Sequence, residues 1–163
     1  MSRRIFHEQS GAAAAEMALV APLLMLIMFG SLELGHYFYS EHVVVKAARD
    51  GARFASRQPF SKFSCTTVDS TVETNTKNLT RTETIDGSGT PRLGGWTQNS
   101  TVNVSVRCDT SGTYSAIYEG MTGGIPVVKV TATVPYSSLF KAIGFNSATL
   151  NVQAASEAPV MGI

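Results

Sequence analysis

The polarity of this chain changes abruptly along its length. Residues 17–32, MALVAPLLMLIMFGSL, carry no charge and are dominated by Leu, Met, Ile and Phe. Adding the alanines 12–15 before them and residues 34–38 after gives a helix-compatible stretch over 12–38. At about 1.5 Å per residue such a helix is roughly 40 Å long, against a hydrocarbon core of about 30 Å. The pattern predicts a membrane-spanning helix over about 17–38, with Tyr37, Phe38 and Tyr39 at the level of an interfacial aromatic belt. Helical spacing then continues through EHVVVKAARDGARFASRQ. Small or apolar residues recur at Val44, Ala47, Ala48, Gly51, Phe54 and Ala55, while Lys46, Arg49, Asp50, Arg53 and Arg57 form the opposite face. Pro59 ends the run, because a residue preceding proline disfavours the α region. One helix over 12–57 would be roughly 70 Å long, more than anchoring requires. Its small-residue stripe must pack on something, in the main its own domain. Pro22 frees the carbonyl of Ala18, so a helix kink is expected there.

The remainder is polar. Residues 60–100 are rich in Thr, Ser and Asn with scattered Val68, Val72, Leu79 and Ile85, and IDGSGTPRLGG (85–95) is turn material. Three later stretches alternate as strands. In 101–108, Val102, Val104, Val106 and Cys108 share a face; in 127–134, Val128, Val130, Ala132 and Val134 do; in 148–157, Leu150, Val152 and Ala154 do. Residues 136–145, YSSLFKAIGF, read as a short amphipathic helix or a loop. The expected fold class is α+β, a long N-terminal helix packed on a small antiparallel β-sheet.

Charge and cysteines sharpen this picture. Net charge is +1, and charged residues make up 15% of the chain, against about 25% in ordinary soluble domains. Beyond Pro59, seven basic residues (Lys62, Lys77, Arg81, Arg92, Arg107, Lys129, Lys141) balance seven acidic ones (Asp69, Glu73, Glu83, Asp86, Asp109, Glu119, Glu157). Nothing argues for nucleic acid as a partner. Arg3 and Arg4 precede the apolar run as in a secretory signal, yet no small-x-small cleavage site follows it, so a retained anchor is the better reading. Those arginines favour a cytoplasmic N-terminus, whereas Lys46, Arg49, Arg53 and Arg57 pull the other way. Cys65 and Cys108 are the only cysteines, without CxxC spacing or a nearby histidine. The pair suits a disulfide in an oxidising compartment, the alternative being two unpaired buried thiols. The resulting topology is N-in, with the C-terminal domain outside.

Catalytic chemistry is hard to find. His7, His36 and His42 all precede the polar domain. That domain therefore has no Ser/His or Cys/His arrangement and no histidine metal ligand, nor any Gly-rich phosphate loop. Asp86 lacks calcium-loop spacing and reads as a turn residue. Glu73 and Glu83 make no convincing carboxylate pair. Asn78, Asn99 and Asn103 fall in glycosylation sequons, which arise by chance in a Thr-rich domain. Trp96 beside two glycines reads as a packing residue rather than an exposed binding aromatic. We expect no enzyme activity, no cofactor and no metal.

One residue is out of place, the glutamate in GAAAAEMALVAP (11–22). Glu16 stands five residues after Gly11, at the start of an apolar helix. This spacing resembles the prepilin processing signature. With the AL-x2-P-LL core, the G-x2-E-x-G exit and the A-R-x-G-A-R run, residues 8–57 resemble TadE-like proteins, minor pilins or pseudopilins of the tight-adherence (Tad/Flp, type IVc) pilus system. Major Flp pilins are much shorter and usually carry Tyr after the glutamate. Here Met17 and an extra domain fit the minor role.

The resemblance implies a pilin-like fold with three parts: a prepilin-type leader 1–11, a long helix 12–58 and an extracytoplasmic β-rich domain 59–163. It implies cleavage between Gly11 and Ala12 by a prepilin peptidase. It further implies residence in a bacterial inner membrane, with the domain periplasmic, and possible entry into the fibre. The implied partners are other pilins or pseudopilins, the peptidase, the inner-membrane assembly platform and the lipid bilayer. In that setting the Glu16 carboxylate pairs with the Ala12 ammonium of an adjacent pilin, and the alanines 12–15 let helices approach closely. The simpler alternative has Glu16 snorkelling at the cytoplasmic interface. For Glu33 the simple reading, an interfacial carboxylate, is preferred over an inter-subunit contact. The competing function is a single-pass anchored binding module unrelated to a fibre.

Overall fold

Apolar and small residues sustain one uninterrupted helix, α1 (Gln9–Ser56), which runs straight through Pro22 in sequence and stops where Pro59 requires. The computed structural model describes residues 9–114, 118, 123–143 and 150–162. Most of the expected leader, residues 1–8, therefore lies outside the described residues. So does the 144–149 stretch between the short segment and the last strand. A second helix, α2 (Ser70–Thr82), follows α1. The strands are β1 (Val102–Asp109), β2 (Ile125–Pro135) and β3 (Asn151–Pro159), forming an antiparallel sheet in the order β1-β2-β3. The fold is α+β, as expected.

The sheet lays one face on the outer half of α1. Register sets Val104 beside Val130 and Ala132 beside Ala154, and alternation turns Val102, Val104, Val128, Val130, Ala132, Val134, Val152 and Ala154 into the core. Leu150 is the exception: it precedes β3 and is 53% exposed, because the strand begins one residue later. From α1 come Val44, Ala47, Ala48, Ala52 and Ala55, all buried. The chain then closes back on the helix, with Val160 donating from its backbone to Pro126 and Met161 to Ser56.

The pattern of hydrophobic residues gave no helix over 70–82, and the structure shows why. The buried face of α2 is Val72, Thr76, Thr80 and Thr82. The hydroxyls of Thr76, Thr80 and Thr82 donate to the carbonyls of Val72, Thr76 and Asn78. Threonine so placed fills space without leaving a buried donor. Two local signals do mark this helix. Asp69 caps it by accepting from the amides of Thr71 and Val72, and Glu73 pairs with Lys77 one turn on.

Gly51 lets α2 reach α1, since a Cβ there would overlap the Thr80 hydroxyl. Asp50, assigned by spacing to the solvent face, instead binds the guanidinium of Arg92 at 3.0 Å. Glu83 binds the same group at 3.1 Å. Arg92 is only 7% exposed, and burial of a charge is tolerable when paired twice over. This ion triad pins the 84–98 loop across both helices. Gly51→Val should lower unfolding stability by about 3 kcal/mol, the upper end for overpacking a filled site. Denaturant unfolding of the detergent-solubilised chain checks this, and an unchanged midpoint would contradict the α1–α2 contact.

Candidate assembly helix and its outer latch

The inner half of α1 offers its whole circumference. Residues 11–20 are all exposed, including Gly11, Ala12 and Glu16. Met17, Leu19, Leu23 and Leu26 are each more than half exposed. Glu16 meets no ion-pair partner among the described residues. Pro22 is exposed too. This helix is long and apolar enough to cross a membrane.

The outer half is engaged with the domain, and its lowest polar contact is at Glu33. The Tyr136 hydroxyl donates to Glu33 Oε1 at 2.9 Å, and the Leu139 amide donates to Oε2 at 3.2 Å. His36 Nδ1 lies 3.1 Å from the same phenol oxygen. The phenol has one proton and spends it on Glu33, so His36 donates through Nδ1–H. Glu33 is thus partnered within its own chain. The Tyr37 ring turns against Tyr136, with centroids 5.3 Å apart. Of the expected aromatic belt, only Phe38 and Tyr39 remain more than half exposed. Neither Tyr136 nor His36 was singled out from the sequence, because no local pattern links positions 103 residues apart.

Cys65 and Cys108 are joined, with Cα atoms 4.9 Å apart and a sequence separation of 43. The bond ties the segment before α2 to β1. A loop of that size contributes on the order of 4 kcal/mol in the chain-entropy description. Trp96 is fully buried and donates its indole N–H to Thr101. Asp86 accepts from the Ser88 amide in a turn. Glu73 and Glu83 are held apart by Lys77 and Arg92. Asn99 donates its amide to Asn78 Oδ1 and accepts from Arg81, while the Asn78 amide donates to the Ile85 carbonyl, so the amides of two of the three sequon asparagines are engaged.

An open cavity of about 340 Å³ lies between α1 and the 135–139 turn. Its two titratable groups, His36 and Tyr136, are already bonded to one another. Among the described residues, no cluster of His, Cys, Asp and Glu is grouped to hold a metal ion.

Among the described residues, the apolar inner half of α1 remains the candidate site. Residues 11–53 match the family described as TadE-like protein. That span starts at the expected cleavage glycine and ends with the last residue of the A-R-x-G-A-R run, so the TadE-like resemblance read from the sequence holds over residues 11–53 of α1. It stops short of both cysteines and all three strands. No curated protein and no solved structure matches the chain.

Burial, then the Glu33 contact, push the Tyr136 phenol up from 10.0 to about 12. A group whose folded value is raised stabilises fully below its unfolded value and is lost as pH climbs through the folded one. The latch should therefore hold to about pH 10 and fail between there and about 12. Tyr136→Phe should cost about 1–3 kcal/mol at neutral pH by stranding Glu33 and His36. It should also flatten stability between those pH values. Denaturant titrations of both forms across pH test this, and equal slopes would exclude the phenol as the cause.

Proposed function

We propose that this chain is a minor pilin or pseudopilin of a Tad (Flp, type IVc) pilus, taking part in its assembly or initiation and so in surface adhesion. The observation that carries the reading is Glu16, an exposed carboxylate without an ion-pair partner among the described residues, inside the TadE-like segment and at the start of the apolar half of α1. A prepilin peptidase cuts after Gly11 and leaves Ala12 with a free ammonium. Glu16 of one subunit then neutralises that ammonium on its neighbour. The pairing offsets a burial that would otherwise cost several kcal/mol in lipid. Exposed small side chains at 12–15 support close helix approach.

The domain sits on the periplasmic side of a bacterial inner membrane, a placement supported by the Cys65–Cys108 disulfide. The subunit works by contact: it is substrate to the peptidase, partner to other pilins and client of the assembly platform. It performs no catalysis of its own.

Co-expression with the cognate prepilin peptidase should yield a chain beginning at Ala12, read by intact-mass spectrometry. Retention of residues 1–11 would count against processing. Glu16→Ala should insert and fold normally but abolish piliation, scored by electron microscopy of a strain carrying the variant. Normal pili there would sink the pairing mechanism.

A further inference from the structure

The sequence pattern puts the outer membrane boundary near Phe38, but the domain reaches further down the helix than that. The stripe of α1 that faces the domain descends from Ala55 through Val44, Ser40, His36 and Glu33, at helical spacing. It ends at Phe29, whose ring meets Phe140 edge-on at 5.5 Å. Phe29 lies nine residues below Phe38, about 14 Å along the axis. A turn containing Ser137 and Ser138 and a folded domain above it cannot be immersed in hydrocarbon to that depth.

The segment that arrives at this level has interfacial chemistry. In the 3₁₀ turn Leu139–Ile143, Leu139 is 52% exposed, Phe140 rests on Phe29, and Lys141 is exposed. Apolar side chains beside a lysine suit the headgroup layer, the ring and leucine in the acyl boundary and the ammonium at the phosphates. Glu33 enters the same layer with both carboxylate oxygens already bonded. Moving the boundary down does not spoil the span. Residues 12–32 still give about 32 Å, enough for a core of about 30 Å.

We propose that the outer boundary of the bilayer lies near Leu32, and that Leu139, Phe140 and Lys141 dip into the outer leaflet as a second membrane contact beside the helix. The domain then stands on the lipid surface at two points, held in one orientation about the α1 axis. This rests on α1 being the bilayer anchor.

The test places a nitroxide at Leu23→Cys, Leu139→Cys, Phe38→Cys or Thr74→Cys in the full chain, kept oxidised so that Cys65–Cys108 stays closed. Each is reconstituted in phosphatidylethanolamine/phosphatidylglycerol vesicles and compared for collision with oxygen and with a water-soluble nickel chelate. The expected order of oxygen preference is Leu23, then Leu139, then Phe38, with Thr74 aqueous and Leu139 severalfold above Thr74. Leu139 as nickel-accessible as Thr74, or Phe38 at least as lipid-like as Leu139, overturns the inference while Leu23 remains in lipid. Nickel access at Leu23 itself overturns the anchor reading along with it.

Discussion

The burial of one face of α1 against β2 and β3 is the constraint on which everything else rests. Val44, Ala47, Ala48, Ala52 and Ala55 contribute little volume each, and that is what makes the packing work. Small side chains bring the helix backbone close to the sheet, so the larger valines of the strands fill the space between. The same reasoning covers Gly51, where even a methyl would collide with α2. A helix with leucines along this face would hold the sheet away and open the core. The domain therefore packs directly on the outer half of α1.

Polar groups set the limits of that grip. At the top, Arg92 draws Asp50 of α1 and Glu83 beyond α2 onto one guanidinium, and Met161 donates to the last turn of α1. At the bottom, Tyr136 and the Leu139 amide satisfy Glu33. Between these two ends the contact is apolar. Buried polar partners are costly to leave unpaired, so the two ends fix register along the helix axis, where apolar packing alone would tolerate sliding. One turn below, Phe29 still meets Phe140, and residues 11–20 beneath it are all exposed. This division commits the outer half of α1 to the chain's own fold and leaves the apolar inner half exposed.

Function here follows from accessibility. The domain's conspicuous residues are consumed internally: Trp96 in the core, Asp86 in a turn, Asn78 and Asn99 in a mutual bond. On the outward face of the sheet, Arg107 and Lys129 converge on Glu157 and hold its carboxyl below the usual range. Such exposed pairs add little stability. What stays available is the apolar helix with Glu16 in it.

The sequence by itself determined the long helix, its end before Pro59, the stripe it buries and the three strands with their inward faces. Each of these is a local periodicity, and burial enforces periodicity strongly. It also determined the membrane-compatible run and the oddity of Glu16, because an absence of charge over so long a stretch has few physical meanings. Only the tertiary structure decided the rest. Helix α2 was hidden because threonine satisfies its own hydroxyl and so serves as a core residue, which a hydrophobic pattern does not register. Asp50 looked solvent-facing until a loop brought Arg92 to it. Glu33 and Tyr136 carry no mutual signal across 103 residues. Their meeting exists only once the sheet has docked, because a hydrogen bond between distant positions is specified by the packing that delivers them.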